Sequence, residues 1–400
     1  MNRSFHGLGF RCGLAAILVA AACGTRRTQA DPKPADPPAL DGGVSASSVA
    51  ADEEAAAAPG EPLAPDDLYA RVKPATVEVL VEGRLDGSGW FADAEGLLFT
   101  AAHVVDRPGR KVEIVSPLAG RCAVEVVAVD LGHDIALLRA APREGGYPAL
   151  PIAEQPPKIG EEVYLVGSAM FRHGVLFRGI VANEKPVFEY YGERHVEVLH
   201  LAATVPGGTS GGPWFDRRGR VIGLQSAVMS LNSIPVGVAN AAPARALARL
   251  LAERRHAATP HLGAAVEEPW QQNRDFWKRF PAGIEGLVVV ALQKDGPAER
   301  AGLRQWDLIA RADGQTVRLV DELLVVVRAK KPGETIDLEV IGPDGTGSRN
   351  VALTLGKAEV AWPDNPPQPA ASAPETPDGE KDAGGDEPPK PQSETGDSGG

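Results

Sequence analysis

Between residues 65 and 258 the chain is a succession of brief β-branched runs, each closed off by Gly, Asp or Pro, with no helical pattern between them. The runs are Thr76–Val81, Gly87–Phe91, Leu97–Ala101, Lys111–Val115, Ala123–Val129 and Ile135–Arg139, then Glu162–Val166, Val175–Ala182, His195–Ala202, Val221–Ser226 and Val236–Ala239. Short strands at this spacing predict an all-β barrel or sandwich and argue against a parallel sheet, which needs helical crossovers. About 195 residues suffice for two small barrels and are many for one. A capped helix over Asp66–Val72, stopped by Pro74, and an Ala/Leu/Arg-rich helix over Ala244–Leu251 bracket the region.

The ends of the chain follow other rules. Arg3 and Arg11 precede Gly13–Ala20, an apolar run too short to span a bilayer permanently, and small residues lead to Cys23. Residues 1–22 therefore read as an export signal. Residues 23–64 hold almost no large apolar side chains and cannot offset their ordering entropy, so they read as a tether. Residues 359–400 read as a disordered acidic, Pro-rich tail. From 361 onward that tail carries nine acids against two lysines, so much of the formal net charge of −12 sits there. Such a balance argues against a nucleic-acid partner, which needs a basic face.

Cys12, Cys23 and Cys122 are the three cysteines, and no metal-binding spacing can be built from them. Only Cys122 lies in the globular part, so an intramolecular disulfide is not expected. His195 and His200 are five apart in an expected strand and face opposite sides, which does not make a metal site. No cofactor or metal is expected.

Three segments carry the residue types of nucleophilic catalysis: Thr100-Ala101-Ala102-His103-Val104-Val105, His133-Asp134-Ile135-Ala136-Leu137-Leu138 and Pro206-Gly207-Gly208-Thr209-Ser210-Gly211-Gly212-Pro213. Alone, each has a plainer account: a packed histidine, a turn-forming aspartate, a flexible glycine loop. Together they supply what hydrolysis needs. A serine hydroxyl becomes nucleophilic when an imidazole takes its proton, and the imidazole needs a carboxylate to fix its tautomer. Glycines beside the serine let backbone N–H groups turn toward a developing oxyanion. Gly208–Gly212 also satisfies the G-x-S-x-G elbow of α/β-hydrolases. That elbow opens a helix and precedes its acid and histidine, whereas here a turn and a strand follow and both partners come earlier.

Thr100–Val104 and Gly208–Pro213 resemble the His and Ser boxes of chymotrypsin-fold serine proteases. The stretch from about 66 to 357 is similar to the bacterial HtrA (DegP-like) family, through Gly87-Ser88-Gly89-Trp90-Phe91, Asp134–Leu138, Gly160–Gly167 and Arg178–Val181. The resemblance implies a mostly β fold: a chymotrypsin-like double β-barrel over 65–258, then a small α/β PDZ domain over 259–358. It makes His103 the base, Asp134 the orienting acid and Ser210 the nucleophile, with the amides of Gly208 and Ser210 as the oxyanion hole. Thr204, six residues before Ser210, takes the pocket-base position, and an uncharged residue there disfavours Lys or Arg at the cleaved site. The Ala20–Gly24 stretch resembles a lipobox, which would make Cys23 a lipidated membrane anchor on an exported, periplasmic or cell-envelope protein. The family also implies homo-trimers.

Departures fall around the serine. Pro206-Gly207-Gly208-Thr209 replaces the usual Asn-Pro-Gly-Asn, Ala202 replaces an acid, and Gly167-Ser168-Ala169-Met170-Phe171 replaces a Gly-Asn-Pro-Phe-Gly stretch. All three bear on the oxyanion loop.

Beyond residue 261 strands are expected at Gly286–Leu292, Leu308–Ala312, Thr335–Ile341 and Asn350–Leu355, with a helix at Val320–Ala329. Gly296–Leu303 followed by Asp307-Leu308-Ile309 resembles a PDZ domain, although Trp306 stands where that family has glycine. Leu262-Gly263-Ala264 matches the carboxylate-binding loop, and Leu323 and Val327 would line the side-chain pocket for a peptide added as a strand. The expected partners are unfolded polypeptides and peptide C-termini. The function so implied is a quality-control serine endopeptidase. The alternatives are a catalytically silent PDZ-containing chaperone and a regulatory protease with one client.

Overall fold

In the computed structural model the described residues are 61–359, apart from 106–107, 232–233, 279 and 281–282. The expected export signal, Cys23, nearly all of the tether and the acidic tail beyond Glu359 lie outside them. Among the described residues no helix is long and apolar enough to cross a membrane.

Helix α1 (Pro65–Val72) opens the fold with Leu68 and Val72 buried on one side. It leads into β1 (Thr76–Val81), β2 (Arg84–Phe91), β3 (Leu97–Ala101), β4 (Val112–Ser116), β5 (Gly120–Asp130) and β6 (Ile135–Ala140), which close into an antiparallel barrel in the order β1-β2-β3-β6-β5-β4. Trp90, Phe99, Ile114 and Leu137 are among the side chains fully buried there.

The second sheet comprises β7 (Glu162–Gly167), β8 (Val175–Val181), β9 (Val187–Tyr191), β10 (Arg194–Ala202), β11 (Pro213–Phe215), β12 (Val221–Leu231) and β13 (Ile234–Pro243). Its order is β13-β12-β11-β7-β8-β10-β9, and a further β10–β13 pairing joins six strands into a ring with β9 as an outrigger. Strand periodicity explains how the barrels adhere. Val163, Leu165, Trp214 and Ile222 fill the second barrel, while their neighbours Tyr164, Val166, Phe215 and Val221 face the first barrel's core. The wall between the barrels is thus apolar on both faces, and loops carried at its edge are held firmly. Helix α2 (Ala244–Glu253) then lays Leu247 and Leu250 on the first barrel.

Two short strands, β14 (Pro260–His261) and β15 (Ala264–Glu267), begin the next domain. It continues with the one-turn helix α3 (Arg274–Trp277), β16 (Leu287–Leu292), the short helix α4 (Pro297–Arg300), β17 (Leu308–Ala312), β18 (Gln315–Thr316), α5 (Val320–Arg328), β19 (Thr335–Ile341), β20 (Ser348–Thr354) and β21 (Gly356–Lys357). The sheet order β15-β16-β17-β19-β20 leaves β15 at an edge. At the start of α5 the Glu322 carboxylate accepts the Leu319 N–H at 3.2 Å, half of a capping box. Trp306 adopts φ 73°, the left-handed conformation glycine usually supplies, and it packs against the cluster formed by Phe276, Phe280, Val288 and Leu308. That contact offsets a backbone cost of about 1–2 kcal/mol.

The β9–β10 hairpin rests on this second domain. Phe188 packs against its core, and the Phe188 N–H donates to Asp321 at 2.8 Å. Arg328 lies over the Phe188 ring and donates to the His195 carbonyl at 2.7 Å. His195 is buried, and its Nε2 has no hydrogen-bond partner among the described residues. Burial, then the Arg328 and His261 charges, push its pKa down from 6.5 to about 3. The unfolded chain therefore takes up a proton that the folded chain refuses. This stability is complete above pH 6.5 and is lost as pH falls toward 3, at about 1.4 kcal/mol per pH unit. His195→Phe is expected to remove that dependence. Urea midpoints of the two proteins between pH 7 and 4.5 check this, and parallel curves would refute it.

Candidate active site

Each of the three expected residues sits where a barrel strand ends. His103 lies on a single 3-10 turn, Ala102–Val105, directly after β3. Asp134 lies in the turn between β5 and β6 at φ 56°, a conformation aspartate tolerates better than most side chains. Ser210 lies in the Gly-rich turn between β10 and β11.

The Asp134 carboxylate accepts three hydrogen bonds. Oδ1 takes the His103 backbone N–H at 3.0 Å. Oδ2 takes the His103 ring at Nδ1, 2.7 Å away, and the Ser226 hydroxyl at 2.5 Å. Burial on its own would raise this carboxyl's pKa. The His103 charge and these hydrogen bonds outweigh burial and hold it below the usual range. Opposite an ionised carboxylate Nδ1 carries the proton, which leaves Nε2 as the ring's acceptor. The histidine side chain is 49% exposed against 8% for the aspartate, so the ring opens to the cleft while its anchor is buried.

Ser226 was not foreseen as a site residue, and it is the junction. Besides its bond to Asp134, its carbonyl accepts the Ser210 hydroxyl at 3.4 Å. Two of the three residues named from sequence, Asp134 and Ser210, thus meet on one residue of β12, and His103 is joined to them through Asp134. The only advance signal was a serine ending the Val221–Ser226 run. The neighbouring His133 does not join them. Its ring is buried between Asp130 (2.9 Å) and Glu197 (3.0 Å), with Arg249 donating to Asp130 at 2.6 Å.

The serine loop is held from two sides. Ser88 donates from its backbone N–H to the Ser210 carbonyl at 2.7 Å, and its hydroxyl donates to the Gly208 carbonyl at 2.8 Å. The same hydroxyl accepts the Ser168 N–H at 2.9 Å. On the far side Met170 N–H donates to the Gly207 carbonyl at 2.9 Å. In a trans peptide C=O and N–H point opposite ways, so the Gly208 N–H turns away from Met170. Among the described residues neither Gly208 N–H nor Ser210 N–H donates to a protein acceptor. Met170 and Phe171 are themselves exposed and left-handed, at φ 47° and 64°.

Thr204 is exposed, and its Oγ1 faces Gly237 on β13. Leu262 and Gly263 turn their carbonyls inward, to Ala298 and Gln293 N–H at 3.0 and 2.8 Å, and Ala264 pairs with Leu292 on β16. Leu323 is fully buried in the second domain's core. Val327 belongs to that core too, and it also lines a cavity of about 10 Å³ with Leu262, Leu324, Arg328, Arg194 and His195. Of the aromatic group near 270–280, Phe276 and Phe280 are core, with ring centroids 4.6 Å apart, whereas Trp270 is exposed. Among the described residues no cluster of three His, Cys, Asp or Glu could hold a metal ion.

Comparison with known proteins gives the same architecture. Residues 87–224 match the trypsin-like peptidase domain and residues 260–353 the PDZ domain. The chain is 27% identical over 290 residues to the putative serine protease HhoA of Synechocystis, covering 69% of this chain and 71% of that protein. It is 30% identical over 279 residues to a probable periplasmic serine endoprotease, DegP-like, of Pseudomonas fluorescens, covering 68% of this chain and 56% of that one. The chain thus spans little more than half the length of that DegP-like relative. Among solved structures, a serine endoprotease from Yersinia pestis aligns with TM-score 0.52 at 21% identity, covering 75% of this chain and 100% of that one. The HtrA-type protease AlgW with decapeptide aligns with TM-score 0.54 at 20% identity, covering 76% and 100%. A trypsin-like peptidase domain followed by a PDZ domain, with serine-protease relatives on both comparisons, places the chain in the HtrA (DegP-like) family.

Proposed function

We propose that this chain is an exported serine endopeptidase that cleaves unfolded or exposed polypeptides, with a PDZ domain that engages peptide C-termini. His103 Nε2 takes the proton of Ser210 Oγ as that oxygen attacks the scissile carbonyl. The tetrahedral oxyanion is received by the Gly208 and Ser210 N–H groups. His103 then passes its proton to the departing amine, leaving an acyl-Ser210 that water hydrolyses by the same relay. Asp134 holds the imidazole in its productive tautomer throughout. Thr204 forms the floor of an uncharged specificity pocket. Cys23 anchors the exported chain as a lipoprotein, and three copies assemble as in the relatives' family.

The observation that carries this reading is the convergence on Ser226, whose hydroxyl holds Asp134 while its carbonyl meets Ser210 Oγ. A fluorophosphonate probe tests it. Labelling of the wild type but not of Ser210→Ala is expected, together with casein degradation by the wild type alone. No labelling at any pH would leave a silent binding protein.

One observation favours a regulatory protease over an always-open one. The space beside Leu262 and Val327 is only about 10 Å³, and Arg194 and His195 of the β9–β10 hairpin are among the residues that line it, so a chain terminus seated there would have to push lining side chains aside. Digestion of several unfolded proteins without added peptide would argue against this second reading.

A further inference from the structure

The outrigger strand β9 ends on a residue that touches the site indirectly. Tyr191 faces Arg194 across a two-residue turn, Gly192-Glu193, whose φ angles of 58° and 61° suit a tight hairpin. Its hydroxyl lies 2.7 Å from Ser226 Oγ, the oxygen that bonds Asp134 at 2.5 Å. We propose that Tyr191 is a positioning residue for this site, acting through Ser226 to fix and polarise the Asp134 carboxylate. This rests on the reading of Asp134, His103 and Ser210 as a triad.

The direction of the chain follows from counting protons. Asp134 is ionised and can only accept, so the single hydroxyl proton of Ser226 points to it. Ser226 Oγ must then accept from Tyr191, giving phenol to alcohol to carboxylate in one line. The charged groups around the phenol are Asp134 beyond Ser226, Glu189 on its own strand and Arg194 across the turn. Burial, reinforced by the Asp134 charge, keeps the phenol protonated at every working pH. Hydrogen bonds in series polarise one another. The phenol thereby draws negative charge from Oδ2, the oxygen that also faces His103. A less basic carboxylate pulls less on the imidazolium, so the His103 pKa stays lower and the ring remains a base further into acid.

The strand is fastened at its other end, where Phe188 N–H meets Asp321 of α5 and Arg328 covers the Phe188 ring. Tyr191→Phe removes one hydroxyl and leaves those contacts in place, which separates the polarising role from simple packing.

The experiment measures the acid limb of kcat/KM on a peptide substrate and the His103 ring protons by NMR, in wild type, Tyr191→Phe, Ser226→Ala and the double variant. Tyr191→Phe is expected to move the His103 titration about half a pH unit toward alkali and to lower kcat at neutral pH about three- to tenfold, the usual worth of one such bond. KM should stay within about twofold, since no substrate contact is lost. In the Ser226→Ala background the same change should add nothing, because the relay is already cut. Incorporating 3-fluorotyrosine at 191, a stronger donor with nearly the same ring, should move the titration the other way. A titration unmoved in both substitutions, or one moved equally with and without Ser226, overturns the proposal. The NMR arm needs no turnover. A wild type that fails to label with fluorophosphonate would sink the triad reading, while the titration would still report on Tyr191.

Discussion

Asp134→Asn is expected to lower kcat by about four orders of magnitude while leaving the fold intact. The backbone does not object, since asparagine enters the left-handed region at least as readily as aspartate, and the φ of 56° can persist. The damage is in the hydrogen bonds. Asp134 accepts at both oxygens, from His103 N–H at Oδ1 and from His103 Nδ1–H and Ser226 O–H at Oδ2. An amide has one oxygen and one donor group. If the NH₂ takes the Oδ1 place it faces the His103 backbone N–H, donor against donor. If it takes the Oδ2 place it donates to Nδ1 and drives the proton to Nε2, where the base should be. The second arrangement is the cheaper, because the imidazole can change tautomer and a backbone amide cannot. The ring then sits in place with its lone pair on the wrong side. Steady-state kinetics on a peptide substrate, with circular dichroism as the check on folding, test this. A variant within tenfold of wild type would mean that Asp134 does not set the His103 tautomer.

The residues of that argument differ in how readable they were. His103, Asp134 and Ser210 could be named from sequence because each sits in a short stretch whose neighbours share its constraint: apolar strand, turn, glycine loop. Ser226 and Tyr191 could not. Their roles are pairings across 92 and 35 positions, and only the folded sheet brings them together. Strands that are apolar runs bounded by turn residues, whether buried on both faces like Leu97–Ala101 or on one like Thr335–Ile341, were legible almost to the residue. Thr76–Val81, Leu97–Ala101, Leu308–Ala312 and Thr335–Ile341 have the expected limits. The β9 strand was missed because Val187–Tyr191 has no clean alternation; part of it faces the second domain instead of water. The three-residue β11 was hidden because its neighbours are glycines and a turn. Leu323 shows the remaining limit. Helical spacing says that a residue faces inward, but not whether it meets a ligand groove or the domain's own core, and the structure gives it to the core.

Gly211→Ala is expected to destabilise the protein by more than about 4 kcal/mol, or to leave no folded protein at all, a loss reserved for severe backbone clashes. Its φ of +87° already disfavours any side chain. A methyl group there would lie 2.2 Å from the Ser88 carbonyl oxygen, 2.4 Å from Thr100 Oγ1 and 2.8 Å from Ala101 N. Those atoms belong to β2 and β3, and Thr100 Oγ1 is itself bonded to the Ser88 carbonyl at 2.8 Å. Nothing flexible can yield: one strand would have to move off the barrel or the serine loop off both. Gly207, four positions earlier, is the internal control. A methyl group there meets nothing within 4 Å and its φ is not positive, so Gly207→Ala should change stability by about 0.5 kcal/mol or less. Urea midpoints for the two variants make the comparison. A Gly211→Ala protein with the wild-type midpoint would mean that the loop does not lie against β2 and β3. The contrast separates two uses of glycine in one turn. At 207 the residue is merely permitted, whereas at 211 the missing side chain is what lets the main chain beside Ser210 reach the barrel strands that position it.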